Sequence, residues 1–414
     1  MIGPVSIRTL DQTLPNTPTP NTNQTNIKEP ESNQPDTNYT ENQEVEKKWL
    51  VIVYAAGDND LSSYLFEDID ELETVGSDKN THIISILDQG KYGTQFKGAR
   101  IFYLQKDKQL GKINSPVIQN LSQINLADPK TMGKLIGELM SKYPSTHVAV
   151  ILSDHGSGWQ GAIEDDFPKK SFMTLQQIKE ALSTALEIAG RKIDVLGWDA
   201  CLMAMAEVGY ELKDFAKYMV ASEQLEGADG WPYSRIFAST LKHIISTLQK
   251  EIQTNIEHQP KDLAETIVKE AQNFSHSIKT LSAVDLEKAQ LVATKLDELA
   301  KEIINDPSSF SQIIRAMRRT ERFYQNFRDL GHFAQLIQTL NVNPNIKTKA
   351  QELEQALKEY VIKEFHTDDH PNATGVSIEM PVNSKPTSDY LKTSLAQNTS
   401  WDEMLTAMFT APRT

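Results

Sequence analysis

Apolar residues recur along this chain with two periods. Short blocks of β-branched and aliphatic residues bounded by polar or glycine residues read as buried strands, the clearest at 49–55, 82–87, 99–104, 148–152, 193–198 and 218–222. Between them, apolar positions three and four apart mark helices. Leu61, Leu65, Ile69 and Leu72 share one face, closed by Gly76. Asp128-Pro129 supplies an N-cap and a first-turn proline for a helix to Lys142. Thr174 to Gln177 forms a capping box that opens a helix to Ala189, and a further helix is expected just beyond residue 201. Strands apolar throughout, alternating with amphipathic helices, predict an α/β fold: a mostly parallel sheet with helices on both faces.

Beyond about residue 245 the period is helical, at 259–275, 285–304, 308–325 and 346–364, and the strand-like Val376–Met380 is expected to return to the sheet. Residues 1–46 are rich in Asn, Thr, Pro and Gln and poor in large apolar side chains. Such a segment cannot offset its ordering entropy by burial, so it reads as a disordered tail. The expected organisation is therefore a tail (1–46), an α/β core (47–245) and a helical C-terminal region (246–414).

Charge narrows the partners. With 56 acidic and 42 basic residues the net charge is −14, which argues against nucleic acid and favours basic ligands or substrates. No apolar run approaches the ~18 residues of a membrane span. Met1 to Leu10 has neither a basic start nor a sustained apolar stretch, so no Sec signal is read there; a cytoplasmic location or export by another route is expected.

The chemistry centres on Cys201, the single cysteine, which has no disulfide partner and is free to react. The run Ile193–Trp198 leads into Asp199-Ala200-Cys201, and the run Val148–Leu152 leads into Ser153-Asp154-His155-Gly156. Parallel strands would deliver His155 and Cys201 to one carboxyl edge, where open α/β sheets place their sites. A lone cysteine is more often buried and inert. The paired placement at two strand ends favours nucleophilic catalysis, with Cys201 as nucleophile and His155 as acid/base.

The succession of an apolar block, His-Gly, a second apolar block and Asp-Ala-Cys resembles the signature of caspase-like cysteine peptidases, and within them the clostripain family. An earlier strand running into Asp58-Asn59-Asp60-Leu61 is similar to that family's first motif. Ser222-Glu223-Gln224, Gly230-Trp231-Pro232-Tyr233 and Gly375 to Pro381 resemble its later segments. The resemblance implies a caspase-like fold and an endopeptidase that cuts protein or peptide substrates after Arg or Lys. It also implies an oxyanion hole from the backbone N–H groups of Gly156 and Cys201, Gly156 being glycine so that no Cβ crowds the substrate carbonyl.

A cationic P1 side chain needs a carboxylate. Asp229 matches the family's pocket position, and Asp199, two residues before the cysteine, is its competitor; Glu223 and Glu226 are weaker ones. Trp159 and Trp231 are candidate pocket walls. Family members are matured by a cut between the two catalytic residues, which falls here on Lys169 and Lys170, in a charged, proline-containing stretch expected to be an exposed loop. The product would be a monomer or a self-cleaved two-chain complex. No cofactor is required by this chemistry. Calcium occurs in the family, and Glu164-Asp165-Asp166 offers oxygen ligands. Asp58, Asn59 and Asp60 read as a helix-capping cluster. His366 and His370 have metal-like spacing but read better as a solvated loop. The alternative function is a catalytically silent module that binds basic peptides.

Overall fold

The computed structural model describes residues 46–239, 260–274 and 276–410; the tail expected over 1–46 lies, but for its last residue, outside them. A nine-stranded sheet runs in the order β12-β10-β9-β8-β5-β1-β2-β3-β4. Its centre is parallel: β1 (Lys47–Ala56) lies between β2 (Thr81–Asp88) and β5 (Ser145–Ser153), followed outward by β8 (Ile193–Asp199) and β9 (Ala216–Ala221). Antiparallel strands flank this centre: β3 (Ala99–Tyr103) and β4 (Val117–Ser122) on one side, β10 (Thr280–Asp285) and β12 (Val361–His366) on the other.

Both faces of the central strands are buried, which is why their sequences are apolar throughout rather than alternating. Along β1, Leu50, Ile52 and Tyr54 join one apolar cluster and Trp49, Val51 and Val53 the other. The first cluster receives α2 (Pro129–Lys142), α3 (Leu175–Ala189), α4 (Ala206–Leu212) and most of the C-terminal helices; the second receives α1 (Ser62–Glu73) and the helix Pro260–Ala271. The helix ends follow their local chemistry. Asp128 caps α2 through the Thr131 N–H, Thr174 and Gln177 form the capping box of α3, and Gly76 takes a φ of 62° just after α1.

The C-terminal region departs from its sequence pattern. Residues 280–285 and 361–366 are sheet strands; the helical period of 346–364 hid the second, since the helix ends at Tyr360. Residues 376–380 do not return to the main sheet. Ser377–Glu379 forms β13, which pairs antiparallel with β11 (Phe327–Asp329) in a separate two-stranded sheet. A helix at Leu330–Thr339 was not anticipated. Among the described residues, no helix is long and apolar enough to cross a membrane.

Candidate active site

The chain leaves β1 for β2 on one side and later adds β5, β8 and β9 on the other. A crevice therefore opens at the carboxyl edge between β1 and β5, the switch point where such sheets bind ligands. Ser153 and Asp199 are register partners on β5 and β8, so His155 and Cys201 each lie two residues beyond a paired position. The Asp154 N–H donates to the Asp199 carbonyl at 3.2 Å, which keeps the two chains together past the last ladder pair. Gly156 seals the junction. A Cβ on it would come within 2.3 Å of the Cys201 carbonyl oxygen and 3.0 Å of the Cys201 nitrogen. Its lack of a side chain is thus required by the Cys201 backbone itself, rather than only by the substrate carbonyl.

His155 is held from two directions. Its carbonyl accepts from Ile163 N–H at 3.0 Å, at the start of a hairpin formed by β6 (Ala162–Asp165) and β7 (Ser171–Met173). Its Nε2 lies 2.8 Å from Asp60 Oδ1. Asp60 therefore belongs to the site and not to a cap: α1 begins after Leu61 with no side-chain cap. Asn59 also faces inward, its amide donating to Asp154 Oδ1 at 2.8 Å and to the carbonyls of Ala56 and Glu164. Burial pushes the Asp154 carboxyl up to about 7.

The thiol has a different setting. Cys201 Sγ lies 3.3 Å from the Glu226 N–H and 3.7 Å from the Glu226 carbonyl, in the loop after β9. Burial raises its pKa above the ordinary thiol value, and the negative charges of Glu226 and Asp199 raise it further. No hydrogen bond joins Cys201 to His155 among the described residues.

Asp199 ends β8, where the chain turns, and its side chain is withdrawn from solvent. It is 6% exposed, and its Oδ2 accepts from Tyr233 Oη at 2.8 Å, Ser153 Oγ at 3.1 Å and Trp231 N–H at 3.4 Å. Burial lifts it to about 6. Two further carboxyls crowd it. Glu226 shares a hydrogen bond with it, and the Trp231 indole N–H approaches Glu226 Oε1 at 3.5 Å. Asp68, on α1, is 7% exposed. A Cβ on Gly230 would lie 2.8 Å from Asp68 Oδ2 and 3.1 Å from Asp199 Oδ2. Burial and the neighbouring negative charges hold both Asp68 and Glu226 well above the carboxylate range, and each keeps one buried oxygen without a hydrogen-bond partner among the described residues. Asp229 is exposed on the Gly227–Gly230 turn, close enough for its charge to act on Asp68.

The remaining candidates separate. Lys169 and Lys170 sit in the exposed loop that joins β6 to β7, with Lys170 Nζ 2.6 Å from Glu164 Oε1. The carboxylates of Glu164-Asp165-Asp166 diverge instead of gathering around a cation. Glu164 meets Lys170, Asp165 accepts from Leu126 N–H and Phe167 N–H, and Asp166 accepts from Tyr92 Oη. Among the described residues, Asp60, His155 and Glu164 bring metal-capable atoms within 4.8 Å of one another. His366 is exposed at the end of β12 and His370 lies in the turn that follows, so the expected loop is solvated only in part. His366 pairs with Glu364, while His370, largely buried, lies between Glu321 and Gln224. Trp159 is buried with its indole on Glu379, and Glu223 accepts from Gly375 N–H, so both serve the core. Sequence reasoning missed Asp60 and Asp68 in the site. The signal for Asp60 was its place after β1, at the same carboxyl edge.

Comparison with known proteins agrees with this architecture. The family model described as Clostripain family matches residues 53–407. Clostripain from Hathewaya histolytica is 24% identical over 310 residues, covering 64% of this chain and 58% of that relative's length. Two solved structures share the fold. A secreted C11 cysteine protease from Bacteroides thetaiotaomicron, in complex with an irreversible peptide inhibitor, gives a TM-score of 0.64 at 18% identity, over 87% of this chain and 99% of that one. An inactive zymogen C11 protease from Parabacteroides distasonis gives 0.62 at 18% identity, over 86% and 99%.

Proposed function

The chain belongs to the clostripain family, and from that premise we propose that it is a cysteine endopeptidase cutting after Arg or Lys and matured by cutting itself at Lys169 or Lys170. The observation that carries this reading is the delivery of His155 and Cys201 to adjacent strand ends beside buried carboxyls that have no Lys or Arg partner among the described residues.

The steps follow from the residues. Cys201 gives its proton to His155, and the thiolate attacks the P1 carbonyl carbon, forming an S–C bond while the carbonyl π pair moves to oxygen. The N–H groups of Gly156 and Cys201 receive that oxyanion. As the C–N bond breaks, His155 protonates the leaving amine and a thioester remains. Water, deprotonated by His155, then attacks the thioester carbon; the C–S bond breaks, the carboxylic acid product leaves, and the proton on His155 returns to the sulfur. Asp60 is a positioning residue, holding the imidazole through Nε2 and leaving the other ring nitrogen for the chemistry. The P1 cation is held by Asp199 and Asp229, with Asp68 and Glu226 adding negative charge once ionised. A cation there also offsets the charges that raise the thiol's pKa, so a basic substrate favours its own attack. Protein groups alone suffice for these steps.

In the uncut chain Lys170 is held by Glu164, close to His155, and Pro168 to Lys170 are exposed. Cleavage there would leave β6 attached to His155 and β7 leading into α3, so the fragments stay together through the sheet. Peptide mapping of wild type beside Cys201→Ala tests the proposal. A new amino terminus at Lys170 or Ser171 is expected in wild type only, together with labelling of Cys201 by a thiol-reactive Lys- or Arg-directed probe. An intact, fully active wild-type chain would remove the maturation step. Absence of labelling would favour the silent peptide-binding module.

A further inference from the structure

A second acidic hollow lies along another face of α1. Phe66, Glu67, Asp70 and Glu71, three and four residues apart, line a cavity of about 810 Å³ whose described lining contains no Lys or Arg. Asp70 is 5% exposed; one carboxylate oxygen accepts from Gly111 N–H at 2.6 Å, and the other has no hydrogen-bond partner among the described residues. Glu67 is exposed, and Glu71 is steadied by the Ser234 hydroxyl at 2.6 Å. Phe66 and the 43%-exposed Tyr92 add apolar wall. Asp60 closes the connection: it lines this cavity and also binds His155 at 2.8 Å.

We propose that this cavity takes a second basic side chain of the same substrate, within about three residues of the scissile bond given ~3.3 Å per extended residue. The inference rests on the proposed peptidase reading and adds a second determinant to it. Phe66 and Tyr92 suit the methylene stem of Lys or Arg, and the carboxylates suit its head. α1 thus presents carboxylates on two faces: Asp68 towards Asp199, and Glu67 with Asp70 towards the cavity. Substrates with paired or near-paired basic residues would engage both.

Fluorescence anisotropy on the full-length Cys201→Ala protein tests this without turnover. Peptides with Arg at P1 would carry Lys or its uncharged counterpart norleucine at each of the three positions on either side of the bond. One position is expected to bind about tenfold tighter with Lys. Glu67→Gln and Asp70→Asn should each cut that ratio at least threefold, while a peptide with Arg at P1 only keeps its affinity. Glu67 is an exposed helix residue, so its variant retains the fold even if Asp70→Asn does not. If no position distinguishes Lys from norleucine, or if the preference survives undiminished in both variants, the proposal is overturned. Hydrolysis of a single-residue arginine amide by wild type separates the two ideas: its absence beside an intact Lys preference would fell the peptidase reading alone.

Discussion

The ends of β5 and β8 are neighbours in one sheet, yet the carboxylate that meets His155 and those packed beside Cys201 live in opposite surroundings. At β5, His155 meets Asp60, whose side chain is 80% exposed. Solvent screens that pair, so the carboxylate stays ionised and orients a ring at little cost. At β8, the carboxyls of Asp199, Glu226 and Asp68 are packed away from water against one another. Burial raises all three, and neighbouring negative charges raise Asp68 and Glu226 further. A carboxylate in water positions a base. Carboxyls out of water hold protons until a cation replaces them, which makes them selective.

The hardest test of this contrast is removal of the chemistry. Cys201→Ala should lower turnover about ten-thousand-fold or more, and the His155→Ala double variant should be little worse, since the two act as a unit. Substantial residual activity in kinetic assays would remove the thiol mechanism. Next, Asp199→Asn keeps an acceptor for Tyr233 but removes the buried charge. A loss in kcat/KM for Arg and Lys substrates of about 30-fold to several-thousand-fold is expected, with a smaller loss for the exposed Asp229→Ala. The reverse order would break the distinction between buried and exposed acids.

Stability supplies a third test. Asp199, lifted to about 6 by burial, binds its proton more tightly folded than unfolded. Its contribution is therefore fully present below the unfolded value near 4 and is lost as pH rises through about 6. Differential scanning calorimetry on the Cys201→Ala background should show Tm falling between pH 4 and 7 by several degrees more than in the same protein carrying Asp199→Asn. Equal slopes would deny the burial effect. The smallest expected effect belongs to the exposed side. Asp60→Ala should lower kcat about two- to fivefold with KM unchanged, partly restored in Asp60→Glu. A change confined to KM would make Asp60 a substrate contact rather than a positioning residue.

The placement of His155 and Cys201 at one edge was legible because both follow apolar runs, and a parallel sheet sends such runs to one edge. The α2 and α3 boundaries were legible because Asp128, Pro129, Thr174 and Gln177 act within one helical turn. The helical period of 346–364 concealed β12, since propensity yields to sheet pairing once β10 offers an edge. Val376–Met380 read correctly as a strand, but its partner is Phe327–Asp329, about fifty residues away in sequence, and nothing local specifies that pairing. Asp60 looked like a cap because its partner, His155, is separated from it by 95 residues.

What this sequence determined by itself is the order of most strands and helices and the place of His155 and Cys201 at one sheet edge, because local periodicity and strand-end position carry both. Tertiary structure alone decided which acids are buried and which are wet. An aspartate reads the same at positions 60, 68, 199 and 229. Its protonation and its use depend on the dielectric and the charges around it, and those are contributed by α1, β8 and the loop after β9 only when they pack together.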